Sequence, residues 1–176
     1  MLANLVIRRA RLEDSAVIAD VHVRTWQSAY QGILNAEFLQ SISVELREKT
    51  WINWLSAEND SSFTFVAEMD GLVVGFVNAG PERSGDPLYQ GEVNAIYIYQ
   101  RVQKQGIGRE LIEAAVNEFR KRAIPSMLIW VLADNPSRKF YEALGGSYVR
   151  EKDVEIGTQV LREVAYGWLD LAGMFK

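Results

Sequence analysis

The run Val102-Gln103-Lys104-Gln105-Gly106-Ile107-Gly108-Arg109 constrains the fold more than any other stretch, because it joins a strand pattern to a helix pattern through two glycines. Before it, Glu92-Val93-Asn94-Ala95-Ile96-Tyr97-Ile98-Tyr99 is β-branched and aromatic, with no breaker. After it, Ile107, Leu111, Ile112, Ala115, Val116 and Phe119 fall on one helical stripe, with Glu110, Glu113, Asn117 and Arg120 outside it. Glycines at such a joint let a ligand approach the backbone, and the helix start offers unpaired N–H groups at the positive end of its dipole. Arg101, Lys104 and Arg109 place cations around the same turn. The run is therefore read as a phosphate cradle and the chain as a nucleotide-cofactor binder, against the alternative of an ordinary tight turn. Its spacing, Gln-x-x-Gly-x-Gly, is neither the G-x-G-x-x-G of dinucleotide folds nor a loop with the Gly-Lys-Ser/Thr ending of nucleoside triphosphatases.

Composition narrows the chemistry. With 176 residues, 48% of them hydrophobic, the chain is long enough for one well-buried core and short for two, so a single domain over residues 1–176 is expected. It contains no cysteine, which excludes disulfides, thiolate metal sites and a cysteine nucleophile. Its one histidine, His22, excludes a histidine-cluster metal site, so no metal is expected, and it argues against a Ser-His-Asp triad. Carboxylates, phenols and backbone groups must do the chemistry. A net charge of −4 provides no basic field for nucleic acid and suits a cationic amine acceptor better than an anionic polymer. Without a membrane-length apolar run or a basic-then-apolar leader, the expected location is the cytoplasm, with no membrane partner.

Along the chain, a strand from Leu5 to Arg9 leads through Asp14, read as a helix cap or first-turn acid, into a helix to about Tyr30. A second helix follows Ser43, with Arg47, Trp51, Trp54 and Leu55 near one face and both tryptophans read as core. Strands Phe63 to Glu68 and Leu72 to Ala79 flank the hairpin signal Met69-Asp70-Gly71. The stretch Gly80 to Pro87 reads as a surface loop before the glycine-turn strand, Met127 to Leu132 as a further strand, and Tyr148 to Ile156 with Gln159 to Trp168 as a closing hairpin turning at Gly157. This order is a mixed α/β pattern.

A second signature lies about thirty residues downstream of the glycine turn: Asp134-Asn135-Pro136-Ser137-Arg138-Lys139-Phe140-Tyr141-Glu142-Ala143-Leu144-Gly145-Gly146. With Gln103 to Gly108 matching the pattern Q/R-x-x-G-x-G/A and Phe140 to Gly145 matching F-Y-E-x-L-G, the chain resembles the GNAT superfamily of N-acetyltransferases over nearly its whole length. The resemblance implies a mostly antiparallel sheet, flanked by helices, whose central fourth and fifth strands splay apart. It implies acetyl-CoA as cofactor, with the pantetheine arm held by backbone groups of Ile96, Tyr97 and Ile98, the pyrophosphate by the amides of Lys104, Gln105, Gly106, Ile107, Gly108 and Arg109, and Gln103 as a further cofactor contact. Asn135, Ser137 and Phe140 complete the expected cofactor contacts. The family's asparagine commonly lies seven residues before the tyrosine, where this chain has Asp134; Asn135 lies six before it and also reads as the start of a helix, with Pro136 in its first turn. Gln100 and Lys104 replace a proline and a glycine common in that loop.

Lacking a thiol nucleophile, the chain is expected to bring a bound amine directly onto the thioester, which requires a neutral amine, stabilisation of a developing oxyanion and a proton for the leaving thiolate. The resemblance assigns the oxyanion contact to a backbone N–H near Ile96 to Ile98 and the acid to Tyr141, whose alternative is helix-to-sheet packing. Glu92, fourteen residues before Gly106, stands where some family members place a general-base glutamate. Strand parity puts it on one face with Asn94, Ile96 and Ile98; its alternative is a solvated strand start, and His22 is the other titratable candidate. Trp26 and Tyr30, four apart on one helix face, either line an acceptor pocket or belong to the core. The segment Thr25 to Leu34 resembles bacterial small-molecule acetyltransferases, some acting on polyamines. The function expected is acetyl transfer to a primary amine of a small molecule, including a polyamine; the alternatives are a protein N-terminal or lysine acetyltransferase and a non-catalytic acyl-CoA-binding regulatory module. A homodimer is the assembly considered.

Overall fold

In the computed structural model, residues 4–57 and 61–176 are described. Seven strands, β1 (Leu5–Arg9), β2 (Phe63–Met69), β3 (Leu72–Pro81), β4 (Gly91–Ile98), β5 (Met127–Leu132), β6 (Ser147–Ile156) and β7 (Gln159–Trp168), form one sheet in the order β1-β2-β3-β4-β5-β7-β6. Every neighbouring pair is antiparallel except β4 and β5. The β2–β3 hairpin turns on Asp70 and Gly71, both with positive φ (51° and 82°), the conformation that Asp-Gly supplies in a tight hairpin.

Helix α4 (Ile107–Lys121) buries its whole expected stripe, Ile107 to Phe119, against Val77, Val93 and Ile129 on one face of the sheet. Each large apolar side chain in such a stripe contributes about 1.5–3 kcal/mol by leaving water. The opposite face is covered by α1 (Ser15–Ala29) and α3 (Val44–Ser56), whose Ile18, Ala19, Val21 and Trp51 meet Val66 and Phe76. Helix α5 (Arg138–Ala143) follows β5. Among the described residues no helix is long and apolar enough to cross a membrane, and no group of three or more His, Cys, Asp or Glu residues is arranged to hold a metal ion.

Several local expectations need correction. A short helix, α2 (Ala36–Ser41), stands between α1 and α3, started by the Asn35 side chain, which accepts from Glu37 N. Six residues are too few to show a helical period. Asp14 does stand at the start of α1 but caps none of that helix's amides: its carboxylate accepts from Arg8 at 2.8 and 2.9 Å and from Arg11 N at 2.7 Å, and the Arg8 guanidinium lowers its pKa below the ordinary carboxylate value. Trp51 is core, whereas Trp54 is 52% exposed and stacks edgewise on Trp51 from outside.

The feature that positions the site is a bulge in β4. Asn78 pairs with Ala95 and Ala79 with Val93, so Asn94 is an extra residue on β4. Strands β4 and β5 pair only at Gly91↔Met127, Glu92↔Leu128 and Val93↔Ile129. Beyond those pairs β5 continues against β7 while β4 stays with β3, and a wedge opens between them. Burial follows the separation: Gly91 to Val93 are buried, and Asn94 to Ile98 only half-buried.

Candidate active site

One side of the wedge is the edge of β4. Ile98 O accepts from Gln103 Nε2 at 2.9 Å and from Thr25 Oγ1 at 3.5 Å, so it points away from β3. Main-chain groups alternate along an antiparallel strand, which turns Ile96 and Ile98 toward the wedge and Tyr97 toward β3. Tyr99 N donating to Val74 O agrees with that alternation. Of the three residues expected to hold a pantetheine arm through the backbone, Ile96 and Ile98 are so oriented. Tyr97 instead presents its side chain to the α1 face, stacked on His22 at 4.9 Å.

At the wide end of the wedge the glycine run forms the start of α4. Gly106, its N-cap residue, has φ 86° and no Cβ neighbour within 4 Å, and Lys104 has φ 61°, so the turn depends on left-handed backbone. Among the described residues the amides of Lys104 to Arg109 have no hydrogen-bond acceptor; the first helical bond is Glu110 N to Gly106 O. Unpaired amides at a helix N-terminus fit the pyrophosphate of CoA. Gly108 has a different reason to be glycine: a Cβ there would lie 3.1 Å from Phe140 Cζ and 3.4 Å from Ile98 Cδ1, so it lets α4 pack against α5 and β4. The exposed cations are held by rings, Arg101 over Tyr99 at 4.5 Å and Arg109 over Phe175 at 4.8 Å.

On the β5 side, Asn135 Oδ1 accepts from Ser137 N at 2.9 Å and starts the turn into α5, which is the helix-start alternative for this residue. Ser137 is exposed. Tyr141 is 6% exposed and packs on Phe140 and Tyr166. Burial, and secondarily the nearby Tyr97 phenol, raise its pKa above the ordinary tyrosine value. The phenol therefore stays protonated at neutral pH, able to donate a hydrogen bond and a weaker acid than a free tyrosine. Tyr30 joins the same group: its hydroxyl interacts with Tyr97 and Asn135, burial raises its pKa, and its ring meets Trp26 edgewise at 5.0 Å. Tyr30 is also core, packed with Leu34, Leu39 and Leu132, which is the core alternative for this residue.

Glu92 is placed otherwise than parity implies. Val93 shares the α4 face with Ile96 and Ile98, whereas Ala95 and Tyr97 face α1. The Asn94 bulge reverses parity between Val93 and Ala95, so Glu92 faces the α1 side, opposite Ile96 and Ile98. Nor is it solvated at a strand start: only 4% of its side chain is exposed, and Arg83 of the β3–β4 loop grips it through Nη2 at 2.7 Å, Nε at 3.2 Å and its main-chain N at 3.3 Å. Arg83 was not singled out from sequence; a lone arginine in the loop entering β4 was its only signal. The loop is tied down again by Arg150 to Asp86 at 2.5 Å, and Arg150 and Lys152 lie over the Trp130 ring. His22 accepts from Trp51 Nε1 at 3.3 Å, and burial with the nearby Arg47 charge pulls its pKa down to about 3. It is a neutral core imidazole at physiological pH. A surface hollow of about 420 Å³ lies away from these groups, between Tyr89, Leu144, Trp168 and Met174.

Residues 22–146 match the model of the acetyltransferase (GNAT) family. The chain is 36% identical to the uncharacterised N-acetyltransferase YuaI of Bacillus subtilis, over 97% of this chain and 96% of the relative. It is 25% identical to the L-amino acid N-acyltransferase MnaT of Escherichia coli, over 96% and 91%. Among solved structures, the PaiA N-acetyltransferase of Thermoplasma acidophilum in complex with coenzyme A superposes with a TM-score of 0.73 at 21% identity, over 91% of this chain and 98% of that one. A wedge between parallel neighbours, a left-handed glycine turn with unpaired amides and a buried tyrosine on the next helix thus coincide with a family match, and the chain belongs to the GNAT family of acetyltransferases.

Proposed function

We propose that this protein transfers an acetyl group from acetyl-CoA to a primary amine of a small molecule. The observation that carries the reading is the wedge itself, with the backbone of Ile96 and Ile98 turned toward it on one side and the protonated Tyr141 phenol on the other. Acetyl-CoA, when bound, supplies an acetyl thioester. Transfer forms an N–C bond and breaks a C–S bond; the amine gives up a proton and the sulfur takes one. Ile96 N–H, unpaired with β5, faces developing negative charge on oxygen, and Tyr141 donates toward the sulfur. Glu92 is the carboxylate for the amine proton, directly or through water, once Arg83 shares it. Gln103 orients the loop through its bond to Ile98 O, and Gly106 to Arg109 take the pyrophosphate.

Among small amines, the pairing of charge on the acceptor face favours one that carries its own carboxylate over a polyamine. A polyamine needs carboxylates without partners, whereas Glu92, Asp86 and Glu163 each have a cation within 3.3 Å. The relative named as an L-amino acid N-acyltransferase supports the same choice. The test is release of free thiol from acetyl-CoA with L-amino acids, polyamines, aminoglycosides and short peptides, alongside calorimetric titration of acetyl-CoA. Turnover on a small amine supports the proposal, turnover only on peptides moves it to a protein acceptor, and binding without turnover leaves a regulatory acyl-CoA module. For Glu92, an unchanged pH profile in Glu92→Gln removes the base assignment.

A further inference from the structure

Beside the wedge, one buried polar atom has no partner and no role in the site as described so far. Asn94 Oδ1 is closed to solvent and accepts no hydrogen bond. Its orientation is set by its neighbours. Phe63 O, a main-chain carbonyl, can only accept, and Asn78 Nδ2 donates to it at 3.3 Å and to Thr64 Oγ1 at 2.9 Å. The oxygen of Asn78 must then face Asn94, whose Nδ2 donates to it at 2.9 Å. A carboxamide whose nitrogen is so committed presents its oxygen the other way. A carbonyl of β2 thus determines, through two asparagines, that an acceptor atom and not a donor is presented at the bulge.

Place and chemistry give that atom a use. Asn94 is the first residue of β4 beyond the last β4–β5 pair, so it stands at the apex of the wedge. Its side chain reaches Asn78, and through it Thr64, while Glu92 two residues away faces the α1 side of the sheet. An unpaired buried oxygen is costly to keep, and a ligand N–H removes that cost. Arg83, which holds Glu92 two residues away, keeps 68% of its side chain exposed.

We propose that Asn94 Oδ1 accepts one N–H of the acceptor amine and so orients its lone pair toward the acetyl carbon. The inference rests on the transferase reading above and adds a substrate-positioning residue to it. A neutral primary amine carries two N–H groups and one lone pair; holding one N–H at Asn94 leaves the other proton for a base and fixes the direction of attack. A carboxamide does not take up the proton, so Asn94 positions and Glu92 remains the base.

Two measurements test this. In steady-state assays with the best acceptor of the amine panel, Asn94→Ala raises the KM for the amine about tenfold, as expected for one lost hydrogen bond to a polar ligand, and leaves acetyl-CoA affinity by calorimetry within twofold. Asn78→Ala removes the same internal hydrogen bond but keeps the Asn94 oxygen, and moves the amine KM less. Equal effects of the two variants, or an unchanged amine KM in Asn94→Ala, overturn the proposal and leave a structural network. Independently of turnover, the CoA-loaded protein labelled with nitrogen-15 is titrated with methylamine. The Asn94 side-chain amide signals, identified by their loss in Asn94→Ala, shift if the amine docks there. Turnover by the unaltered protein without that shift overturns the Asn94 site alone; the shift without turnover on any amine overturns the transferase reading alone.

Discussion

The two sides of the wedge are built on opposite plans. The side proposed for the cofactor, from β4 through α5, presents main chain: the wedge-facing edge of Ile96 and Ile98, unpaired amides at the start of α4, and glycines that keep side chains away. The acceptor side satisfies its own polar groups almost completely, with Arg83 on Glu92, Arg150 on Asp86, Lys152 on Glu163 and Trp51 on His22. A backbone cradle can serve one invariant ligand for a whole family, because it does not depend on side-chain identity. A wall of paired side chains specifies its ligand only through which pair the ligand disturbs.

The largest effect that sharpens this contrast is expected at Tyr141, the side chain to which the proposal gives the proton for the leaving sulfur. Tyr141→Phe keeps the ring packed against Phe140 and Tyr166 while removing the proton donor. It should lower kcat about a hundredfold, the lower end for general acid catalysis, with acetyl-CoA affinity by calorimetry within twofold. Undiminished kcat at saturating amine takes Tyr141 out of the mechanism.

The next effect belongs to the acceptor side and is one of stability. Because His22 is held neutral down to about pH 3 whereas an unfolded histidine titrates near 6.5, the unfolded chain binds the extra proton first as pH falls. Stability is therefore full above about pH 6.5 and declines toward pH 3, by about 2 kcal/mol at pH 5 from this group. Urea unfolding at pH 7.5 and pH 5 should show that loss, and His22→Gln should reduce it. An equal decline in His22→Gln assigns acid sensitivity to carboxylates such as Asp14 instead.

The same contrast decides what could be read from the chain beforehand. Strands and long helices were legible because each buries one face over enough residues for a period to show, as α4 does from Ile107 to Phe119. The glycine turn was legible because a left-handed joint between strand and helix leaves its mark as glycine and spacing. Glu92 was placed on the wrong face because a bulge inserts one residue without altering composition, so nothing in Glu-Val-Asn-Ala-Ile announces a parity change at Asn94. Arg83 and the Asn78–Asn94 contact were hidden for a related reason: side chains nine and sixteen residues apart meet only through the β3–β4 register.

The smallest effects separate the two glycines, which the motif treats alike. Gly106 is strained for any other residue at φ 86° although space around it is open, so Gly106→Val acts on backbone conformation and costs about 1–3 kcal/mol at the turn. About tenfold weaker acetyl-CoA binding by calorimetry is expected. Gly108 has helical backbone and a crowded Cβ position 3.1 Å from the Phe140 ring. In Gly108→Ala, about 1 kcal/mol of gained helix propensity opposes a packing cost of about 1–3 kcal/mol. The net result should be a small loss of thermal stability with acetyl-CoA affinity within threefold. If Gly108→Ala instead weakens acetyl-CoA as much as Gly106→Val at unchanged Tm, both glycines serve the phosphate, and the division of labour between backbone freedom and helix packing fails.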